Sequence, residues 1–210
     1  MMQRRELLKN MAGWVLASSV VNHASRVFGH DEGRSLSNST APRSRASEDI
    51  LRAGERVALT GEQLDEAYMK KAIAAARNQP KAPFGAVLVN QETNVVVAEG
   101  WNRAIDNPTW HGEMVAINKC AQLNPRVDWS RLTLYTTAEP CAMCQGAVAW
   151  AGITRVVFGS SIPFLKSLDW WAIDIRAEEM ARLARFRKCV VTGGVLESEC
   201  NELFKAALRR

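Results

Sequence analysis

Between residues 60 and 208 the apolar positions alternate between two spacings. After Thr60, the residues Leu64, Ala67, Tyr68, Ala72 and Ala75 recur at three- and four-residue intervals, which is the stripe of a helix buried on one side. Thr60-Gly61-Glu62-Gln63 matches a capping box, with Thr60 capping the helix and Gln63 reaching back, and the helix runs to about Asn78. Phe84–Asn90 and Val95–Gly100 are short Val-rich runs around a polar turn at Gln91–Asn94, so they predict a β-hairpin. His111 to about Leu123 returns to helical spacing, with Met114, Val115, Ile117 and Ala121 predicted to pack inward. Leu132–Thr136 is a strand, Cys141–Ala151 a helix and Thr154–Phe158 a fourth strand. A helix over 172–185, a fifth strand at Cys189–Thr192 and a last helix at Glu197–Leu208, after Gly193-Gly194, complete the series.

Strands alternating with helices predict an α/β protein with three layers, α/β/α, around a central five-stranded mixed sheet. The hairpin strands are antiparallel. The later strands, each separated by a helix, are expected to be parallel. There is no internal repeat.

Ahead of this domain, assigned to residues 57–210, the pattern breaks down. Residues 31–56 are rich in Ser, Arg, Asn and acids, which predicts a disordered linker. Residues 1–30 carry Arg4-Arg5 and Lys9 before a modest apolar run from Met11 to Val21, too short and polar for an ordinary transmembrane helix. They read as a twin-arginine signal peptide, giving a periplasmic or exported protein with no membrane span once mature. The alternative is an amphipathic N-terminal helix on a cytoplasmic protein. The cleavage site is not evident.

Charge at first suggests nucleic acid, since the chain carries a formal +5. Residues 1–30 account for +3 of this, so the remainder is close to neutral. The basic run Arg182–Lys188 is equally explained as a solvated helix end. Of five cysteines, Cys120, Cys189 and Cys200 show no framework spacing, and no disulfide scaffold is implied.

The chemistry concentrates in His111-Gly112-Glu113 and, thirty residues beyond His111, Pro140-Cys141-Ala142-Met143-Cys144. Either half alone is weak, because a C-x-x-C pair also serves structural zinc or redox chemistry. Of the three histidines, His23 and His30 fall in the leader, which leaves His111 as the one histidine of the domain. One imidazole and two thiolates from Cys141 and Cys144 supply three zinc ligands, and a catalytic zinc keeps its fourth position for water. Glu113, two residues from His111, stands near the metal as a proton shuttle rather than a ligand.

H-x-E…P-C-x-x-C resembles the zinc nucleobase deaminases. Pro83-Phe84-Gly85-Ala86-Val87, Glu99-Gly100-Trp101-Asn102-Arg103, Asn107-Pro108-Thr109 and Arg155-Val156-Val157-Phe158-Gly159 extend the likeness over roughly residues 58–205. They point to the cytidine/deoxycytidylate-type deaminase superfamily, in the branch holding guanine deaminases and tRNA wobble-adenosine deaminases. The resemblance implies a cytidine-deaminase-like fold, one Zn²⁺ per chain, a nucleobase or nucleoside substrate, ammonia release and a homodimer. Nucleic acid is a partner only if the chain is a tRNA adenosine-to-inosine deaminase.

On substrate the chain departs from both relatives. The resemblance makes Asn102 a contact to the base; alternatively it stabilises the turn after a strand. Phe84 is a pocket wall or ordinary core. Trp110 replaces a small residue and either stacks on the substrate or covers the surface. Ser160–Arg176, with Asp169-Trp170-Trp171, lies where the family sets specificity and is expected to be a loop. Asp169 is the preferred acid for a purine, because Asp174 equally suits a helix cap. These features favour a guanine-type free base over tRNA.

Overall fold

Thr60 opens the fold as predicted: its hydroxyl accepts from the Gln63 N–H at 3.3 Å, and the Gln63 side chain accepts from the Thr60 N–H at 2.9 Å. A computed structural model describes residues 60–170 and 173–209, and the predicted leader and linker lie outside the described residues. Helix α1 (Gly61–Ala76) is followed by strands β1 (Gly85–Asn90) and β2 (Val95–Trp101), helix α2 (Gly112–Leu123), β3 (Leu132–Ala138), α3 (Ala142–Ala151) and β4 (Arg155–Ser160). Two short helices, α4 (Ile162–Ser167) and α5 (Ala177–Leu183), lead to β5 (Val190–Thr192) and α6 (Glu197–Leu208).

The sheet order is β2-β1-β3-β4-β5. β1 pairs antiparallel with both β2 and β3, whereas β3, β4 and β5 run parallel. Parallel neighbours need a crossover, and α3 supplies it between β3 and β4. Consecutive strand residues serve opposite layers. Ala86, Leu88, Leu134 and Val156 pack with Ala116, Ile117, Cys120 and Val148 of α2 and α3. Val87, Val89, Tyr135 and Val157 pack with Tyr68, Met69, Ala72 and Ile73 of α1 and Cys200 of α6. Both faces are covered, so β3 is buried at every position. The three-layer α/β/α architecture with a mixed five-stranded sheet is therefore present.

On α2 the buried stripe is Glu113, Ala116, Ile117 and Cys120, while Ala121 is exposed and Met114 and Val115 are half-buried. Ile117 packs inward as expected, while Met114, Val115 and Ala121 stand beside the buried stripe, because a carboxylate, Glu113, opens it and apolar periodicity cannot register that. The expected loop after β4 contains α4, capped by the Ser161 hydroxyl with Pro163 in its first turn. The following helix starts at Ala177, five residues later than expected.

Opposite the α2–α3 layer, Arg155 grips Asp65 with both terminal nitrogens at 2.7 and 2.6 Å, and the Tyr135 hydroxyl donates to Asp65 at 2.8 Å. This ties α1 to the sheet edge-on. No helix among the described residues is long and apolar enough to cross a membrane.

Candidate active site

Two helices begin side by side at the carboxyl end of the sheet. His111 is the N-cap of α2 and Cys141 the N-cap of α3, both in extended conformation and neither with a side-chain capping bond. Cys144 follows one turn into α3. His111 Nδ1 lies 3.6 Å from the sulfur of Cys141 and 3.6 Å from that of Cys144. A tetrahedral zinc with N and S bonds of about 2.05 and 2.3 Å has an N–S edge of about 3.6 Å. The three donors therefore fit zinc in spacing and in chemistry, and form the one such cluster among the described residues. The hydrogen bond from Cys144, then His111, holds the Cys141 thiol down at about 4, so it is a ready thiolate ligand.

Gly112 is required between ligand and acid. A Cβ there would come within 2.6 Å of the Phe84 carbonyl oxygen, so only glycine lets α2 start this close to β1. The turn of helix that follows drives Glu113 into the interior, where it is 3% exposed. One carboxylate oxygen accepts from Thr136 Oγ1 at 3.3 Å, and the other is 3.6 Å from Cys144 Sγ. Burial, then the Cys141 charge, pushes its carboxyl up, which suits a group that must take and return a proton.

Above these groups opens a cavity of about 410 Å³ lined by Phe84, Asn102, Glu113, Glu139, Asp169 and Trp170, with Ile162, Leu165 and Leu208 completing its apolar wall. Phe84 lies nearly parallel to the His111 ring at 6.4 Å and is braced by Trp170 at 5.4 Å and Phe204 at 4.9 Å. Asn102 is buried at the mouth. Its Oδ1 accepts from the Ala104 N–H at 2.8 Å, which commits the oxygen to a turn and leaves the NH₂ as the arm for a ligand. The turn-stabilising alternative for Asn102 is thus the one seen directly.

Asp169 lines the cavity in a left-handed conformation, φ 59°. Asp174 is exposed and ion-paired with Lys166, and lies off the cavity wall.

Trp110 is a correction: it does not reach the cavity. Its ring stacks under the Arg103 guanidinium at 5.1 Å and lines a separate surface hollow with Val115 and Lys119. His111 is extended, so neighbouring side chains point to opposite sides. With His111 turned inward, Trp110 turns out.

Glu139 and the contribution of Leu208 to the cavity escaped the sequence reading, which placed the specificity segment at Ser160–Arg176 but as a loop. Glu139 finds its partner, Arg176, 37 residues on, and nothing in a single sequence links the two.

Comparison with known proteins agrees with this geometry. Residues 62–160 match the model of the cytidine and deoxycytidylate deaminase zinc-binding region. A tRNA-specific adenosine deaminase of Buchnera aphidicola subsp. Baizongia pistaciae is 34% identical over 151 residues, 70% of this chain and 89% of that protein. A guanine deaminase of Bacillus subtilis is 37% identical over 126 residues, 54% of this chain and 80% of that one. A probable cytosine deaminase of Schizosaccharomyces pombe is 42% identical over 101 residues, and the chain spans only 60% of its length. The solved guanine deaminase from Nitrosomonas europaea shares the fold at TM-score 0.63 and 23% identity, covering 81% of this chain and 95% of that one.

Proposed function

The chain belongs to the cytidine and deoxycytidylate deaminase family, as a zinc-dependent hydrolytic deaminase, and from that premise we propose that it deaminates a free purine base of the guanine type. The observation that carries the reading is the cavity itself. Glu113 lies beside the metal ligands, Phe84 and Trp170 wall the cavity, and of its other two lining carboxylates Glu139 is taken up by Arg176 and two backbone N–H groups while Asp169 is exposed. Guanine offers adjacent N–H and amine donors, which a carboxylate accepts together. Leu165, Trp170 and Leu208 form the cavity's apolar wall.

His111, Cys141 and Cys144 would hold the zinc, which when bound supplies the Lewis acidity that makes water a nucleophile at neutral pH. Phe84 and Trp170, set perpendicular to each other, wall the base, and the Asn102 amide donates to an acceptor on its edge. Water adds to the carbon bearing the exocyclic amine. Glu113 takes the water proton, passes it to the ring nitrogen, and serves the departing nitrogen in turn. The C–N bond breaks, the carbon becomes a carbonyl and ammonia leaves.

Ammonia release by purified protein from guanine, adenine, cytosine and their nucleosides tests this. Guanine is expected to be turned over best. Turnover of cytosine alone, or inosine formation in tRNA without activity on free bases, overturns the purine-base reading. The latter is the second reading, favoured by the 34% identity to a tRNA adenosine deaminase.

A homodimer and export are part of the same proposal. Trp150, 80% exposed and packed on the exposed Phe186, is the kind of surface that a second copy covers. Light scattering that reports a monomer at micromolar concentration removes the dimer. Arg4-Arg5 supports twin-arginine export, and a reporter fused to residues 1–56 that stays cytoplasmic removes that.

A further inference from the structure

Glu139 stands next to Pro140 and two residues before Cys141, so its backbone is fixed by the metal loop. Its side chain, 1% exposed, nevertheless serves a different part of the chain. One oxygen accepts from Arg176 Nε at 2.7 Å and the Ala177 N–H at 2.9 Å. The other accepts from Arg176 Nε at 2.9 Å and the Ile162 N–H at 2.9 Å. Ile162 is the first residue of α4 and Ala177 the first of α5. One carboxylate thus receives the free N–H groups at the starts of two helices, where a negative charge is favoured. A buried charge is tolerated only when it is paired and hydrogen-bonded, and here three donors, making four bonds, meet that need.

The two anchor points bracket the stretch from Ile162 to Ala177. That stretch carries Ile162, Leu165, Asp169 and Trp170 onto the cavity wall. Phe204 of α6 packs edge-on against Trp170 at 5.7 Å and supports the wall from behind. The wall and the metal loop are therefore joined by hydrogen bonds at one side chain, beside the apolar contact of Ala138 with the Leu165 cluster.

We propose that Glu139 and Arg176 form a positioning pair that sets substrate affinity, holding the wall residues Ile162, Leu165, Asp169 and Trp170 in register with the metal ligands. The proposal rests on the reading of the cavity as the site of base deamination. Glu139 does not act on the reacting atoms. With its staple loosened, the wall spends part of its time away from the base, and ground state and transition state lose the same contacts. A loss of that kind raises KM and leaves kcat nearly unchanged.

The test uses the full zinc-loaded chain with Glu139→Gln, which keeps shape but loses charge, Arg176→Met, which removes only the ion pair, and Arg176→Lys. Amide exchange of residues 162–177 is expected to speed up by about tenfold in the first two, with α2 and α3 unchanged and about one zinc per chain retained. On the base from which the parent releases ammonia, KM is expected to rise about tenfold with kcat within about threefold, and Arg176→Lys to restore part of the loss. Unchanged exchange, loss of zinc, or a fall in kcat at constant KM overturns the proposal. Should Glu139→Gln fail to fold, Arg176→Met carries the test, because Arg176 is half exposed. A parent inactive on every base defeats the functional reading, and the exchange measurement still decides whether the staple exists.

Discussion

His111 and Cys141 occupy the same local position in two different helices. Each is the N-cap residue of its helix, each is extended, and neither caps its own helix with its side chain. Ser, Thr, Asp or Asn at such a position contributes about 1 kcal/mol through the capping bond. This chain gives up that contribution twice and aims both side chains at a shared point instead. Cys141→Ser discriminates between the two uses. A serine restores a capping hydroxyl but not a zinc thiolate, and metal binding is worth several times a cap because it is coupled to folding. The variant is expected to lose zinc and to melt below the parent, as read by metal analysis and thermal denaturation. Full zinc content in purified Cys141→Ser removes the site as described.

Glu113 is separated from its neighbours by role. It is buried and hydrogen-bonded to Thr136, and it is not one of the three clustered donors. Glu113→Gln keeps the shape and removes the exchangeable proton. Zinc content is expected to stay at about one per chain while kcat falls by roughly 10²–10⁴, the usual contribution of general acid–base catalysis. Loss of metal in this variant means that Glu113 is a ligand and that the proton is carried by another group.

Stability is expected to depend on a network far from the chemistry. Asp65 receives two bonds from Arg155 and one from Tyr135, on the sheet face opposite α2 and α3. Asp65→Ala strands a guanidinium and a phenol. Breaking a buried pair costs about 3–5 kcal/mol; Arg155 keeps some solvent, so about 2–4 kcal/mol is expected here. For a domain of this size that lowers Tm by roughly 5–15 °C. KM for the substrate is expected to stay at the parental value, and a melting temperature equal to the parent's shows the network to be idle.

The sequence was most informative where local chemistry repeats a simple rule. The capping box at Thr60, the Val-rich hairpin and the antiparallel-then-parallel strand directions follow from spacing and connection length alone. The metal ligands were legible because each half of the site is local in sequence and the domain has one histidine. What stayed hidden depends on groups that meet only in space. The α2 stripe was legible only at Ile117 because Glu113 occupies a core position, and Trp110 was drawn towards the cavity although an extended His111 turns it outward. The wall segment read as a loop, because α4 is only six residues long and the carboxylate that receives the starts of α4 and α5, Glu139, lies outside the segment in sequence. Sequence resemblance fixed the deaminase chemistry, and the base depends on a few wall residues with no motif of their own.

Asp169 is where the choice of base is expected to be made. It is exposed at the cavity lining, and its left-handed backbone is a conformation that Asp and Asn tolerate better than most residues. Asp174, the rival acid, is occupied by Lys166. Guanine presents a ring N–H and an amine side by side, both donors, whereas adenine presents its amine beside a ring nitrogen that only accepts, so a carboxylate at this point favours guanine and is repelled by the adenine ring nitrogen. A hydrogen bond to a charged group is worth about 1.5–3 kcal/mol, so Asp169→Ala is expected to lower kcat/KM for guanine by roughly 10–100-fold. Asp169→Asn keeps the backbone conformation but turns a donor towards the base's donors, and is expected to be at least as damaging for guanine. Neither change removes a buried contact, so Tm of Asp169→Asn is expected to stay close to the parent's, while Asp169→Ala is expected to lose about 1 kcal/mol because alanine tolerates the left-handed backbone poorly. Guanine turnover at the parental kcat/KM in both variants removes Asp169 from the recognition of the base.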